Sequence, residues 1–338
     1  MNESLAFPIT ELSSIGEVRR EAEKMARGLG FNDTETGRAS IIVMEIARNL
    51  VLHASQSRQM LLRALEQGPE VGLEILGLDR GPGIADLPES LRDGFSTTGT
   101  PGTGLGAVRR LSLISDVYSV PEQGTVVLAQ VFKDGERLSG EANPFRVSAI
   151  SRARPGERVN GDAWSMIGHK HGALVLVSDG LGHGIEAAEA SRAAAQAFAS
   201  HPHLMPASLL QVLHDALRKT RGAAAAAVHL DIANNAVRFA GIGNISGRIV
   251  SSETTRAMVS HDGTLGVEAR RLQEFEYAWP ENGVIILHSD GLSAAWSLSA
   301  YPGLLPKHPS VIAGALYRDF ARERDDATVV VVKRGHDA

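Results

Sequence analysis

The 338-residue sequence predicts an α+β chain of two domains, and three observations carry that expectation. The length exceeds that of one average domain. Helical spacing and short β-branched runs alternate along the chain. A polar, charged stretch, KDGERLSGEAN over 133–143, has no periodicity and reads as a linker between a domain at 1–132 and a second at 144–338. Hydrophobic residues make up 43% and charged residues 22%, enough for two buried cores under a soluble surface. A net charge of −5 argues against a general nucleic-acid binder and against a polybasic membrane surface. Without cysteine the chain has no disulfides, thiolate chemistry or Cys-ligated zinc, which suits the cytoplasm. The opening MNESLAFPIT lacks the basic and apolar parts of a signal peptide, and no run approaches the roughly 18 apolar residues of a membrane span.

The elements follow in order. Ile15, Val18, Ala22, Met25, Ala26 and Leu29 give a helix over 15–29, closed by Gly28 and Gly30. A second, more apolar helix covers 36–54. A strand over 71–78 ends at Asp79-Arg80-Gly81-Pro82-Gly83, a loop by composition. A Gly/Thr-rich stretch over 94–106 leads into a helix at 107–114, then strands at 116–120 and 125–132. Beyond the linker, strands are expected at 145–151, 163–168 and 173–178, and helices at 185–200 and 207–220. Further strands fall at 223–232, 236–241, 247–251, 272–278, 284–289 and 328–333, with a helix at 310–322. The run Ala223–Ala227 is read as strand because Val228-His229-Leu230-Asp231-Ile232 continues it into the turn at Asn234-Asn235. There is no internal repeat.

Two groups of residues carry chemistry. In the first domain Glu45 and Asn49 lie four residues apart, on one helical face among Ile41, Ile42, Ile46 and Leu50, where a buried pair needs partners. Asp79-x-Gly81-x-Gly83 ends a strand. Gly102-Thr103-Gly104-Leu105-Gly106 runs into a helix whose free N–H groups suit phosphate oxygens, and Gly124-Thr125 follows. In the second domain Asp162, Asp179, Asp290 and the pair Asp325-Asp326 stand at strand ends, two of them in Ser-Asp-Gly. Carboxylates converging from separate strands suit hard divalent cations. Asp-Gly is also ordinary turn punctuation, and spacing alone leaves both readings open.

The wording of the first domain resembles the Bergerat-fold (GHKL) ATPases, and among them the small anti-sigma-factor serine kinases: ARGLGF (26–31), EIARNLVLHA (45–54), DRGPGI (79–84) and GTGLGAVRRL (102–111). The resemblance implies an α/β sandwich, a mixed sheet with helices on one face. It implies ATP with Mg²⁺ held through Asn49, adenine read by Asp79, and phosphates closed over by Gly102, Thr103, Gly104, Leu105 and Gly106. Gly81, Gly83 and Thr125 complete the nucleotide site, and Glu45 is the expected general base. His53 is assigned to the core.

The second domain resembles the SpoIIE-like branch of the PPM-type serine/threonine phosphatases, on GERVNGDAWSM, VLVSDGLGHGIEAA, GIGN, GTLG, ILHSDGL and RDDATVVVV. It implies an αββα sandwich and two Mn²⁺ or Mg²⁺ ions held by Asp162, Asp179, Asp290, Asp325 and the carbonyl of Gly180, hydrolysing phosphoserine or phosphothreonine without a covalent enzyme intermediate. Asp326 is read as a hydrogen-bonding neighbour of its ligand. His183 is read as either a general acid or a loop-shaping residue. Together the resemblances imply a partner-switching regulator acting on a STAS-domain antagonist, with a sigma factor as a further partner and a homodimer as its assembly. The second reading keeps only the phosphatase and makes the first domain an ATP-sensing or protein-binding module.

Overall fold

The computed structural model describes residues 3–54, 56–67, 70–91, 104–135, 144–169 and 172–335. It divides into two units: Asn2–Gly140 with Ser299–Arg318, and Glu141–Leu298 with Asp319–Ala338. The chain thus crosses between units three times, where a single crossing at the linker is expected from sequence.

The first unit contains strands β1 (Leu5–Pro8), β2 (Gln59–Gln67), β3 (Glu70–Asp79), β4 (Ile114–Val120) and β5 (Gly124–Phe132), and helices α1 (Leu12–Gly28), α2 (Asp33–His53), α3 (Leu87–Ser90) and α4 (Leu105–Leu111). The sheet order is β1-β2-β3-β5-β4. Every described pair in it is antiparallel, where a mixed sheet is expected. The tight connections β2–β3 and β4–β5 account for two of those pairs, because a parallel pair needs a long crossover. Alternation along the strands sorts the faces. Leu73, Ile75, Val127, Ala129 and Val131 join Ile42, Val43, Ile46 and Ala22 in one core beneath α1 and α2. Gly77 faces the same way, where any Cβ would lie 2.3 Å from Ile46 Cγ2. Asn32 caps α2, its side chain accepting from the Glu35 N–H at 2.9 Å while Glu35 reaches back to the Asn32 N–H at 2.8 Å.

The opposite face is also buried, which helices on one face alone do not explain. All nine residues of β5 are buried. The cover comes from the segment Ser299–Arg318, much of it helix α7 (Pro309–Phe320). Gly314 brings α7 close: a Cβ there would stand 3.1 Å from both Leu78 Cδ2 and Val126 Cγ1. Buried Glu74 on the same face accepts from Arg63, Gln130 Nε2 (2.7 Å) and Ser310 Oγ (2.5 Å). Burial pushes the Glu74 carboxyl up, but Arg63 and these hydrogen bonds outweigh it and hold the carboxyl below its ordinary range.

The second unit contains β6 (Phe145–Arg152), β7 (Asp162–His169), β8 (Gly172–Gly180), α5 (Ile185–Ala199), α6 (Pro206–Ala216), β9 (Ala223–Asp231), β10 (Ala236–Ile242), β11 (Ser246–Val250), β12 (Thr255–Met258), β13 (Phe275–Ala278), β14 (Val284–His288) and β15 (Ala327–Arg334). Two antiparallel sheets, β13-β10-β9-β8-β7 and β12-β11-β14-β15-β6, enclose a core of Val175, Val177, Val228, Phe239, Ile285, Leu287 and Val330. The alternate residues Leu174 and Leu176 face outward onto α5 and α6, packing on Ala190, Phe198, Leu209 and Leu213. The alanine-rich run is strand β9, as expected. β1, β2 and β12 have no counterpart in the sequence reading.

Candidate nucleotide and metal sites

In the first unit Asp79, Gly81, Gly83 and Thr125 gather around the end of β3. Asp79 closes β3 and pairs in register with Thr125 on β5. The Asp79 Oδ1 accepts the Gly81 N–H at 2.7 Å, which folds the loop back on the strand. Gly124 has φ +81, and a Cβ there would lie 2.0 Å from the Asp79 carbonyl, so only glycine fits. Gly83, at φ +72, abuts the Val120 carbonyl in the same way. Burial raises the Asp79 carboxyl above its ordinary value, opposed by the Gly81 N–H, Arg318 and Thr125. Thr125 Oγ1 shares a 2.9 Å hydrogen bond with Ser119 Oγ.

Glu45 and Asn49 are half-buried on the α2 face turned away from the core, whereas Ile42 and Ile46 fill it. Their partner is therefore not the core. Desolvation raises the Glu45 carboxyl, and Arg48 and the Gly104 backbone oppose the rise. A half-buried carboxylate with elevated proton affinity is suited to taking a proton. Gly104 (φ 135) precedes α4, and Leu105 and Gly106 are buried in its first turn. Gly102 and Thr103 lie outside the described residues. A cavity of about 670 Å³ beside the Asp79 loop is lined by Leu52, His53, Gln56, Arg80, Gly81 and Pro82. His53, assigned to the core from sequence, is exposed and lines this cavity. It sits at the end of α2, where the helix leaves the core.

In the second unit four strand ends meet. Asp162 at the start of β7 stands in register opposite Asp179 near the end of β8. The Gly180 N–H donates to the Gly161 carbonyl at 3.0 Å, tying the two ends together. Ser289 Oγ donates to Asp162 Oδ2 at 2.6 Å and accepts the Thr328 N–H at 3.0 Å. Asn244 Nδ2 donates to Asp290 Oδ2 at 2.7 Å. Asp326 accepts the N–H groups of Arg154 (2.8 Å) and Gly161 (3.0 Å), leaving Asp325 as the half-buried member of the pair.

Electrostatics follow from this crowding. Burial, with repulsion from Asp326 and Asp290, raises Asp162 to about 7 against hydrogen bonds from Ser289 and Thr328. Burial and then repulsion from Asp162, Asp290 and Asp325 raise Asp179 to about 9. Asp325 is raised by burial and Asp290. Among the described residues no three His, Cys, Asp or Glu side chains already form a closed metal cage. The donor set nevertheless fits a hard divalent cation: the buried Asp162 Oδ1 has no hydrogen-bond partner, and the mutual repulsion of these carboxylates is what a cation relieves.

His183 is exposed, with Nδ1 2.8 Å from Glu157 Oε1. Sequence reasoning missed Glu157, Asn244, Ser289 and Arg318. For Ser289 a signal existed, since it is the serine of Ser-Asp-Gly; for Arg318 there was none within any motif.

Comparison with known proteins gives a consistent picture. A histidine kinase-like ATPase domain matches residues 10–131, and the family described as stage II sporulation protein E (SpoIIE) matches residues 169–335. The serine/threonine-protein kinase RsbT of Bacillus subtilis (strain 168) is 33% identical over 129 residues, 38% of this chain and 96% of RsbT. A solved structure from work on the bacterial stressosome as a modular system adapted to control secondary messenger signalling is 29% identical, with a TM-score of 0.52, over 56% of this chain and 99% of that one. RsbX, crystallised in complex with magnesium, shares the fold at 19% identity and a TM-score of 0.53, over 58% of this chain and 98% of RsbX. No helix among the described residues is long and apolar enough to cross a membrane.

Proposed function

Because this chain belongs to the RsbT family of serine/threonine kinases and carries a SpoIIE-type phosphatase domain behind it, we propose that it sets the phosphorylation of one protein switch in both directions. Kinase and phosphatase share a single polypeptide. The substrate is a Ser or Thr on a small STAS-domain antagonist, a reading supported by the stressosome-derived relative. The observation that carries the proposal is the presence in one chain of both half-buried Glu45 beside Asn49 and the facing carboxylates Asp162 and Asp179.

For the kinase reaction Asp79 would accept a hydrogen bond from the adenine amino group, and Asn49 would hold the Mg²⁺ that accompanies ATP. Glu45, with its raised proton affinity, takes the proton of the attacking hydroxyl. For the phosphatase reaction Asp162, Asp179, Asp290, Asp325 and the Gly180 carbonyl would hold two Mn²⁺ or Mg²⁺ ions, which when bound would supply charge stabilisation to the phosphoryl group and a water nucleophile. The chain's own contribution is placement: Ser289 restrains one oxygen of Asp162 and Asn244 one oxygen of Asp290.

The test incubates the purified chain with labelled ATP and a candidate STAS protein. Transfer is expected, and Glu45→Gln should abolish it while ATP still binds. ATP binding that Asn49→Ala removes, without any transfer by the wild type, would leave the first domain as a nucleotide-sensing module. Hydrolysis of p-nitrophenyl phosphate with Mn²⁺ should vanish in Asp179→Asn.

A further inference from the structure

The kinase-like sequence stretch ends long before residue 318, yet the structure covers one face of its sheet with a segment from the far end of the chain. The contacts of α7 and the residues just before it are specific. Just before α7, Lys307 Nζ donates to Asp116 Oδ1 at 2.9 Å and the His308 N–H to Asp116 Oδ2 at 2.8 Å, both onto β4. In the middle Ser310 meets Glu74, and Gly314 allows close packing on Leu78 and Val126. At the end of α7 the buried Arg318 Nη1 donates to the Asp79 carbonyl at 3.0 Å, and Arg80 Nη2 donates back to the Arg318 carbonyl. Arg318 thus holds the main chain of Asp79, and Arg80 holds that of Arg318. A cation at the C-terminal end of α7 also meets its negative dipole end.

The geometry points to Arg318 as a positioning residue of the nucleotide site, supplied by the segment that runs between the phosphatase loops of Asp290 and Asp325. The inference rests on the reading of Asp79 as the adenine acceptor. Asp79 can receive a base in one orientation only if its backbone is held. Two constraints act on its carbonyl from within the unit: Gly124 packs against it, and the Arg318 guanidinium bonds to it. The Gly81 N–H fixes the side chain of the same residue. Removing Arg318 leaves a buried carbonyl without that donor and frees the loop that carries Arg80, Gly81 and Pro82, all of which line the cavity. An RsbT-type domain cut off at residue 132 would lack this restraint altogether.

The experiment is equilibrium binding of fluorescent methylanthraniloyl-ATP with Mg²⁺ to the full chain, paired with thermal melts. Arg318→Met keeps the aliphatic stem, and it should weaken binding about tenfold with partial recovery in Arg318→Lys. A purely structural role would lower the melting temperature of Arg318→Met without changing the affinity of the folded protein. Should Arg318→Met fail to fold, Gly314→Ala serves instead, because its Cβ would stand 3.1 Å from Leu78 Cδ2 and Val126 Cγ1, so that α7 or those methyls must give by a few tenths of an ångström; it should weaken binding by a smaller factor. Wild-type affinity in a folded Arg318→Met, or in Gly314→Ala if that is the variant used, would overturn the inference. Absence of wild-type binding, or binding that Asp79→Asn leaves intact, would instead sink the adenine reading on which it depends.

Discussion

Asp162 and Asp179 show what burial costs at the residue scale. Their folded-state pKa values, about 7 and about 9, stand above the ordinary carboxylate value of 3.8. The folded protein therefore binds protons more tightly than the unfolded chain, and the stability these groups contribute is fully present below pH ~4. It is lost as pH rises through about 7 and then about 9. In chelator, the melting temperature is expected to fall between pH 5 and pH 9, and Mn²⁺ should raise it more at pH 8 than at pH 5. A Mn²⁺ shift independent of pH would refute the coupling. Ser289 belongs to the same scale. Its hydroxyl restrains Asp162 Oδ2 while Oδ1 stays unpartnered. Ser289→Ala should weaken Mn²⁺ binding about tenfold, measured by calorimetry, consistent with loss of a supporting partner to a metal ligand.

Elements are held by a few positions where chemistry is unforgiving. Glu74 and Arg63 are both nearly inaccessible, so the pair was paid for in desolvation and depends on its full set of partners. Arg63→Met strands the carboxylate and should destabilise the first unit by about 3–5 kcal/mol in urea unfolding. Gly77→Val drives a side chain into Ile46 across the sheet–α2 contact and should cost roughly 1–3 kcal/mol. A loss below a few tenths of a kcal/mol in either variant would contradict the packing described. The helix α7 illustrates why element identity and element location differ as problems. Its apolar spacing marks a helix in the sequence, and the structure places one at Pro309–Phe320. Nothing in that spacing says which sheet it covers.

For the molecule as a whole, the three crossings between units make the two activities parts of one covalent circuit. The chain leaves the second unit after Leu298, packs α7 on the kinase sheet, and returns at Asp319, shortly before Asp325. If the nucleotide orders the Asp79 loop, that segment is the covalent route by which the second unit would sense it. A non-hydrolysable ATP analogue at fixed free Mn²⁺ should then change kcat/KM for p-nitrophenyl phosphate by about fivefold or more. An unchanged rate would show that the units work independently.

Much was readable without coordinates, for a physical reason: strands and helices declare themselves through local periodicity, and motif glycines declare turns that no other residue can make. The α+β class, the strand β9 within an alanine run, and the aspartates at strand ends all come from such local rules. Pairing direction, the second cover of the first sheet, and the exposure of His53 do not, because they depend on which distant surface arrives. The sequence by itself determined the elements and the chemical groups at their ends. Tertiary structure alone decided that Ser289 serves Asp162 and Arg318 serves Asp79, since hydrogen bonds between residues 127 and 239 positions apart leave no periodic trace in the chain.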